Sequence, residues 1–461
     1  MIMIITNFKN LAKNSLRKKA LLIAEAGYEA IDVAKDVNKK IILKQNRLSI
    51  GSASINGSRR KRLNFNLDDY RRVFIVGIGK GSALASATLA NILGKRLTGG
   101  IALDVKKLKT QNSRLRQNFG GQAKLKTLLG THPLPSRQNI KATQKIVKLA
   151  KSLKKDDLLI SFICGGGSAL ACANQEELRG EILATKELAK AGANIIELNT
   201  VRKHLPGIKG GDLAKLAYPA RVISLIVSDV LGNNLSMVAS GPTVYDKTTK
   251  KDAIKILRKY FNIWTSVQKL VRDLTETPKD KKYFKKVKNI LFLSNREPVL
   301  AMAEKAKELG LKPKIYSLKL KGEAKKTLLP LIEAMRKGEV VLAGGETTVT
   351  MNNESEIRNY GKGGRNTEAV LGAFTKLIQN SKFKIQNYAL LSVASDGRDN
   401  TEAAGAIGDI LTLKKAKKSG LNPQKFLNNH NSFHFFAKTG DLIYTEKRSF
   451  NVADLMLVLK I

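Results

Sequence analysis

Several residue types are scarce in this chain of 461 residues, and each shortage excludes a class of protein. Its 2 cysteines, Cys164 and Cys172, are too few for a disulfide-stabilised scaffold and favour a reducing compartment. No apolar run approaches the roughly 18–20 residues that span a bilayer, so we expect a soluble, cytoplasmic protein with no membrane partner. Aromatic residues make up only 6%, and no zinc-finger spacing or base-stacking motif accompanies them.

Acidic residues are also scarce, because 38 Asp and Glu stand against 82 Lys and Arg, which gives a net charge of +44. Such an excess is typical of nucleic-acid binders, or of a chain that places lysine at solvated positions. The lysines are spread along the whole chain and are not gathered on one helix. This distribution argues against nucleic-acid binding as the main function, and it supports attraction of small anionic substrates.

The length exceeds what one hydrophobic core usually supports, so at least two domains are expected. Alternating strand and helix patterns occur on both sides of a charged stretch at 279–288 that has no apolar periodicity. We therefore predict two α/β domains, 1–285 and 286–461. Near the N-terminus the pattern predicts one helix over 12–38 and a pair of strands within 40–70.

Five short apolar runs share one design, since each breaks into a glycine-rich or acidic turn. We interpret each run as a buried parallel strand, and its turn would lie at the carboxyl edge of the sheet, where open α/β sheets bind ligands. This layout predicts a small-molecule enzyme suited to phosphate chemistry. The five runs with their turns are Arg72–Gly81, Leu158–Ser168, Val222–Gly232, Val340–Thr347 and Ala389–Asp399.

The first turn contains two glycines, Gly79 and Gly81, whose backbone amides could approach a phosphate at the start of the next helix. Lys80 between them could meet a transferring phosphoryl group, although it is equally well explained as a solvated turn lysine. Ser82 stands where the third glycine of a dinucleotide fingerprint would fall, and the P-loop pattern is absent. The second turn has three glycines in a row, Gly165–Gly167, before Ser168, which favours close approach of backbone to an anion.

Cations and strand-end acids complete the set. Arg365 lies in a glycine loop before a predicted helix and is suited to bidentate contact with a phosphate or carboxylate. A basic loop at 199–211 is predicted, although in so basic a chain a run of charges is more often a solvated face. Asp229, Glu346 and the 396–399 turn carry carboxylates that could hold Mg²⁺ or accept a hydroxyl proton, and Asp399 could equally cap a helix.

Taken in order, these segments resemble the MOFRL-type glycerate 2-kinases, over most of residues 15–460. The matching motifs are GKGSA at 79–83, HPLP at 132–135, GGGSAL at 165–170, NTVRKHLPGIKGG at 199–211, SDV at 228–230, ASGPT at 239–243, GGETTVT at 344–350, GKGGRNTE at 361–368 and SDGRDNTEAAGA at 395–406.

The resemblance implies an N-terminal Rossmann-like parallel-sheet domain, a C-terminal MOFRL α/β domain and an active site in the cleft between them. It implies ATP-dependent phosphorylation of the 2-hydroxyl of D-glycerate with Mg²⁺, with ATP and D-glycerate as partners and a homodimer as an open option. The implied catalytic residues are Lys80, Arg365, Asp229 and Asp396, the two aspartates also as metal ligands. The other implied substrate or phosphate contacts are Gly79, Gly81, Ser82, Gly165, Gly166, Gly167, Ser168, Asn199, Arg202, Lys203, Lys209, Glu346, Gly364, Asn366, Glu368 and Asp399.

The chain departs from the family pattern at a few positions. Ser136, Asn233 and Asn234 replace usual acids, and Glu446–Phe450 replaces a glycine-rich run. A kinase of another 2-hydroxy acid, or an inactive member, therefore stays open. A further alternative is an NAD(P)H-dependent hydroxypyruvate reductase, for which Asp104 has roughly the spacing of a ribose-binding acid, but without the third glycine.

Overall fold

The computed structural model describes residues 3–52, 62–106, 124–261, 267–350, 361–380, 385–446 and 450–461. The chain forms two compact units. The first unit is Val33–Ser294, and the second unit combines Met1–Asp32 with Asn295–Ile461. In the described parts of the chain, every helix is too short or too polar to cross a membrane.

The chain begins in the second unit with two helices, α1 (Phe8–Leu11) and α2 (Ser15–Glu29), and then crosses into the first unit. The described strands of the first unit are β1 (Ile41–Lys44), β2 (Arg47–Gly51), β3 (Arg62–Asn66), β4 (Arg72–Ile78), β5 (Leu97–Asp104), β6 (Leu125–Leu129), β7 (Asp157–Ile163), β8 (Arg221–Val227) and β9 (Val287–Leu293). Its described α-helices are α3 (Val33–Lys40), α4 (Ser82–Leu93), α5 (Arg137–Lys151), α6 (Gly167–Leu170), α7 (Gln175–Leu183), α8 (Ile195–Lys203), α9 (Asp212–Ala217), α10 (Lys250–Tyr260) and α11 (Gln268–Asp273).

Six strands of the first unit form one parallel sheet in the order β6-β5-β4-β7-β8-β9. The central strands are apolar on both faces because helices cover both sides, and β7 and β8 are buried almost throughout. This order is the Rossmann order, with its topological switch point between β4 and β7. The predicted Rossmann-like sheet is confirmed, and the two glycine turns follow the two strands that flank the switch point.

The second unit is also α/β, but its sheet is mixed. Its described strands are β10 (Lys312–Leu320), β11 (Glu339–Gly345), β12 (Tyr388–Ala394), β13 (Gly405–Gly408), β14 (Leu442–Ile443) and β15 (Asp454–Lys460), in the sheet order β10-β11-β15-β12-β13-β14. Its described α-helices after α2 are α12 (Arg296–Glu308), α13 (Ala324–Thr327), α14 (Leu329–Glu333), α15 (Arg365–Gln379), α16 (Ile410–Lys418), α17 (Pro423–Asn428) and α18 (Ser432–Thr439).

The prediction that all five apolar runs are parallel strands holds for β11, which pairs in parallel with β10, but it is wrong for β12. Strand β15 lies antiparallel between β11 and β12, and β12 has antiparallel neighbours on both sides. Because β15 is antiparallel to both of these neighbours, β11 and β12 run in the same direction. Their carboxyl ends therefore meet at one edge, together with the first residue of β15, Asp454, which is in register with Gly345 and Ala394.

The units divide the chain at other points than the predicted boundary between 285 and 286. Strand β9 completes the first sheet beside β8, so the chain leaves the first unit only after Ser294. Helix α2 belongs to the second unit because it packs on α12 and because Arg17 is buried in ion pairs with Asp409 and Asp441, both at 2.7 Å. A linear reading of the sequence cannot detect such a return of the N-terminal helix.

Two local predictions near the N-terminus are also corrected. The helix expected over 12–38 is interrupted between α2 and α3, where the chain passes from one unit to the other. The region 40–70 contains three antiparallel strands, β1 to β3, where a pair was expected. Most of its expected turn at 51–58 lies outside the described residues.

Candidate active site

The turn after β4 is held against the turn after β7. Gly79 has φ +113°, a conformation that side chains rarely adopt, and a Cβ there would overlap the backbone of Cys164. The backbone N–H of Lys80 donates to the carbonyl of Gly165 at 3.0 Å. The glycines thus fix the course of the chain and leave the half-buried Lys80 side chain as the group that this turn can offer to a ligand.

Asp104, at the end of β5, occupies the helix terminus where a phosphate was expected. Its carboxylate accepts the backbone N–H groups of Ala83 at 3.1 Å and Val105 at 2.6 Å, and it also accepts that of Gly81. Burial raises the pKa of Asp104, whereas these amide donors lower it. The start of α4 already has an internal anion, so the prediction that its amides cradle a phosphate is not supported, and the Ser82 hydroxyl donates to the carbonyl of Leu103.

The triglycine turn at 165–167 brings three chemical groups together. A Cβ on Gly166 would lie 3.3 Å from Cε of Lys80 and 3.1 Å from Nε2 of His132, and a Cβ on Gly165 would overlap the carboxylate of Asp229. These side chains come from three different connections, and each follows or precedes a strand of the parallel sheet. Because these glycines have no side chains, the turn leaves room for the ammonium group of Lys80, the imidazole of His132 and the carboxylate of Asp229 beside its backbone.

A second cation, Arg202 on α8, faces the same region. Its Nε lies 3.1 Å from Glu181, and its guanidinium donates to the hydroxyl of Thr185 at 2.6 Å. Thr185 belongs to a single π-helical turn at Ala184–Leu188 that continues α7, a local distortion often found at functional sites. Desolvation, followed by the positive charges of Lys80 and Arg202, lowers the pKa of His132 to about 4. At neutral pH this imidazole is therefore uncharged.

We expect the imidazole of His132 to stay neutral in the folded protein from pH 8 down to pH 5, where a free histidine would be protonated. In the Lys80→Met variant the pKa of His132 should rise, because a positive charge that disfavours the imidazolium is removed. Histidine NMR titration measures both values, and a His132→Gln spectrum assigns the signal among the 4 histidines. A pKa near 6.5 in the wild type would mean that this ring is neither desolvated nor close to the two cations.

In the second unit, Arg365 stands at the first position of α15, beside the edge where β11, β12 and β15 meet. Its guanidinium binds both carboxylate oxygens of Asp454 at 2.6 and 3.1 Å, and it also binds Glu346 at 2.6 Å. Asp454 is fully buried, whereas the Arg365 side chain is 27% exposed. Burial raises the pKa of Asp454, and the charge of Arg365 opposes that rise. The guanidinium is thus held by two carboxylates, while part of the Arg365 side chain stays exposed.

Two family profiles and several known proteins are similar to this chain. A family profile described as domain of unknown function (DUF4147) matches residues 19–276, and the MOFRL family profile matches residues 339–454. A glycerate 2-kinase of Pyrococcus horikoshii is 34% identical, with 84% of this chain and 87% of that protein covered. The chain belongs to the MOFRL glycerate 2-kinase family. The resemblance inferred from the ordered motifs is therefore confirmed.

Other members of the family support the same fold. The crystal structure of a glycerate kinase from Thermotoga maritima superposes with a TM-score of 0.76 at 29% identity and covers 97% of this chain and 100% of that one. A protein of Agrobacterium vitis with a provisional hydroxypyruvate reductase name is 35% identical over 73% of this chain and 77% of its own. The two-domain α/β fold that the resemblance implied is confirmed by these neighbours.

Several residues that the family motifs single out have their polar groups engaged inside the first unit. The segment 199–203 is the end of helix α8, not a loop, and Asn199 accepts a hydrogen bond from Ser240, which also bonds Ser168 at 2.9 Å. Lys203 is 5% exposed and pairs with Asp246 at 3.1 Å. A direct substrate contact by Asn199 is therefore not supported by its position, and the charge of Lys203 is already balanced by Asp246.

Lys209 is the clearest correction among the family motif residues. It is fully buried between two carboxylates, Glu177 at 2.9 Å and Glu181, and both carboxylates are fully buried as well. Glu181 in turn holds Arg202. Lys209 therefore cannot reach a substrate, and its buried ammonium group pairs with the two acids that lie behind Arg202.

Replacing Lys209 with methionine should lower the free energy of unfolding by about 3–5 kcal/mol, because Glu177 and Glu181 would remain buried without their cation. Urea denaturation followed by circular dichroism measures this change. Lys215→Met is the matched control, since Lys215 is exposed on α9 and its loss should change stability by less than about 0.5 kcal/mol. Equal, small effects of the two substitutions would show that the Lys209 cluster is not ionic.

The motif residues around α15 are mostly structural. Asp399 caps the helix, since its carboxylate accepts the backbone N–H groups of Asn366 at 2.9 Å and Thr367 at 2.8 Å. Gly364 packs directly against Asp399, where a Cβ would overlap. The buried Asn366 accepts a hydrogen bond from Ser392 at 2.6 Å, and Glu368 is buried against His430 at 3.0 Å. Of the two alternatives for Asp399, helix capping is the one that the structure supports.

The two acids offered as metal ligands lie in different units of the chain. Asp229 follows β8 in the first unit, and Asp396 follows β12 in the second and accepts only the N–H of Arg398 among the hydrogen bonds of the described residues. Within the described ranges, no three His, Cys, Asp or Glu side chains form a group that could hold a metal ion by themselves. Any Mg²⁺ would therefore need other ligands, such as nucleotide phosphates.

The departures from the family pattern have local explanations. Ser136 caps α5, with its hydroxyl accepting the N–H of Gln138 at 3.3 Å. Asn233 has φ +57°, which asparagine tolerates, and Asn234 accepts hydrogen bonds from Ser236. These residues form the cap and the turns that an acid at the same positions would also form. Within 446–450, residues 447–449 lie outside the described part of the chain.

The sequence did not predict two residues of the candidate site, His132 and Asp454. His132, the imidazole beside Lys80, lies in the HPLP motif, which was matched to the family without a predicted role for this residue. Asp454 was not noticed because it opens an unpredicted strand, β15, with no glycine nearby to mark it. Its signal was the acid at the boundary of the apolar run 455–459, the same strand-end pattern that marked the other acids.

Proposed function

We propose that this protein is a glycerate 2-kinase that transfers the γ-phosphoryl group of ATP to the 2-hydroxyl of D-glycerate, giving 2-phosphoglycerate and ADP. The observation that supports this most strongly is the grouping of Lys80, His132 and Asp229 at a triglycine turn beside the switch point of a Rossmann-ordered sheet. The names of its relatives in the family agree with this reaction. Phosphoryl transfer requires positioning and charge neutralisation more than covalent catalysis, and this set of groups suits it.

The groups of the first unit divide the work as follows. Lys80 neutralises charge on the phosphoryl group in transfer. Arg202, oriented by Glu181 and Thr185, binds the carboxylate of D-glycerate. Asp229 accepts the proton of the 2-hydroxyl, and the neutral His132 forms a hydrogen bond to the acceptor without adding charge.

In the second unit, we propose that Arg365 stabilises negative charge on the phosphoryl group in transfer. Its two carboxylate partners fix the plane of the guanidinium, which lowers the entropic cost of presenting it to a phosphoryl oxygen. Asp454 and Glu346 are therefore positioning residues. Asp396 at the same sheet edge remains a candidate for contact with the nucleotide metal.

The donor set fits Mg²⁺ delivered with ATP. This ion usually takes one or two protein carboxylates and completes its shell with water and substrate phosphates, so Asp229 or Asp396 would suffice. When bound, Mg²⁺ would neutralise phosphate charge and orient the phosphates. The side chains of this chain then bind the acceptor and move its proton.

An ADP-release assay with MgATP and a panel of 2-hydroxy acids tests the proposal. We expect turnover with D-glycerate, with phosphorus NMR showing 2-phosphoglycerate and not the 3-phospho isomer. NADH oxidation with hydroxypyruvate and no dependence on ATP would favour the reductase. That alternative has lost its acid, because Asp104 is 3% exposed and bound to backbone amides, so it cannot reach a ribose. Turnover with a different 2-hydroxy acid alone would keep the kinase class and change the substrate.

A further inference from the structure

The first unit contains a cavity that none of the roles above uses. It has a volume of about 390 Å³ and lies between helix α8 and the segment 234–248. Apolar walls come from Ile196, Met237, Val244 and Tyr245. Pockets for ligands of cofactor size measure about 300–1,000 Å³, so this one is far larger than a three-carbon acid requires.

The polar groups in the cavity favour a ligand part that carries hydrogen-bonding groups but little charge. Lys203 reaches into it, but its ammonium is 3.1 Å from Asp246, so this buried pair is neutral overall. Asp246 also accepts hydrogen bonds from the hydroxyl groups of Thr248 at 2.7 Å and Thr277 at 3.4 Å. Hydroxyl and amide groups of Thr200, Ser236 and Asn234 add further polar lining, and among the described residues the exposed Lys247 is the one cation of the lining outside the Lys203–Asp246 pair.

The rim of the cavity is unusually apolar for an exposed surface. Ile196 at its mouth is 66% exposed and its neighbour Ile195 is 59% exposed, although most large aliphatic side chains of this chain are buried. Tyr245, which also lines the cavity, is 36% exposed. Exposed apolar side chains that border a cavity mark binding surfaces more often than isolated ones do.

One wall of this cavity continues into the support of the triglycine turn. Met237 lines the cavity, and two residues later Ala239 lies where a Cβ on Gly167 would come within 2.5 Å. Ser240 then joins the two sides, since its hydroxyl donates to Asn199 on α8 at 2.8 Å and bonds Ser168 at 2.9 Å. A ligand could therefore occupy the cavity with one end and reach the turn beside Lys80 with the other.

We propose that this cavity binds the nucleoside of the phosphoryl donor, the purine ring against the apolar wall and the ribose at the hydroxyl groups, while the triphosphate extends to Lys80. This assignment rests on the proposed kinase function and adds to it the place where ATP is recognised. The neutral interior and apolar rim suit an uncharged heteroaromatic ring, and the size suits a nucleoside.

Two substitutions test the assignment by isothermal titration calorimetry with MgATP and with inorganic tripolyphosphate as probes. Met237→Trp fills the cavity from its wall, and Ile196→Glu replaces an apolar side chain with a negative charge at the exposed rim, where folding is not at risk. Ile195→Glu is the matched control, with the same charge change on the adjacent, similarly exposed residue that does not line the cavity. We expect a Kd for MgATP at least tenfold higher in the first two variants, little change in the control, and an unchanged Kd for tripolyphosphate.

The outcomes separate this inference from the proposed function. Wild-type protein that binds no MgATP would overturn the kinase function and the cavity assignment together. Wild-type binding that both cavity variants retain would overturn the cavity assignment alone and leave the kinase intact. A raised KM for D-glycerate with unchanged ATP affinity would assign the cavity to the acid and contradict the inference. If Met237→Trp unfolds, as circular dichroism would show, the rim variant and its control decide the question.

Discussion

The Lys80→Ala variant should lose about 100- to 1,000-fold of kcat, the loss typical of removing one group that stabilises transition-state charge. The fold should survive, because the turn is held by the backbone bond from Lys80 to Gly165, which alanine also makes. The KM for D-glycerate should change little, since Arg202 and not Lys80 binds the acid. Steady-state ADP release with saturating MgATP measures both constants.

Lys95→Ala is the matched control for this loss. Lys95 is an exposed lysine directly before β5, at the opposite edge of the same parallel sheet, and its removal changes the net charge by the same amount. It should retain wild-type kcat. If both variants lost activity equally, the effect would reflect overall charge. If neither did, Lys80 would have no part in the reaction.

The Arg365→Lys variant should lose about 100-fold of kcat with a smaller change in stability. Lysine keeps the positive charge beside the buried Asp454, so the unfolding penalty of an unpaired acid is largely avoided. It cannot hold two carboxylates and offer a planar edge to a phosphoryl oxygen at once, as the guanidinium does. The expected signature is therefore lower kcat with a nearly unchanged urea midpoint.

Arg336→Lys serves as its control. Arg336 is exposed shortly before β11, at the end of that strand opposite Arg365, and the exchange should be silent in kcat. Asp454→Asn extends the test, because it leaves Arg365 in place but removes its rigid support. A kcat loss in Asp454→Asn that approaches the loss in Arg365→Lys would identify orientation as the contribution of the buried acid. Full activity in both variants would show that neither Arg365 nor Asp454 takes part in the reaction.

The parallel sheet of the first unit could be predicted from the sequence because its signals are local. Strands buried on both faces are short continuous apolar runs, and Gly79 and Gly165–Gly167 mark their ends in the sequence itself. The second sheet is harder to predict from the sequence, because the antiparallel β15, from the far end of the chain, lies between β11 and β12. Strand direction within a sheet is a property of the tertiary structure, and no residue in β15 encodes it.

The chemistry of the site was predictable by residue type but not by environment. Lys80 and Lys209 both follow or precede glycines in basic motifs, yet one is half-buried beside the triglycine turn and the other is sealed between Glu177 and Glu181. The partner acids lie roughly 30 positions away on α7. Likewise, Asp104 ends a strand in the position expected of a catalytic acid, and only the structure shows that backbone amides already donate hydrogen bonds to its carboxylate.

The most direct test of the account is a double-mutant cycle between Lys80→Ala and Arg365→Lys, with kcat for D-glycerate as the readout. If both cations stabilise the same phosphoryl group, the double variant should lose clearly less than the product of the two single losses, because neither group works at full strength without the other. Losses that simply multiply would show that the two residues act at separate places or steps, and would contradict the claim that one phosphoryl group is held by both.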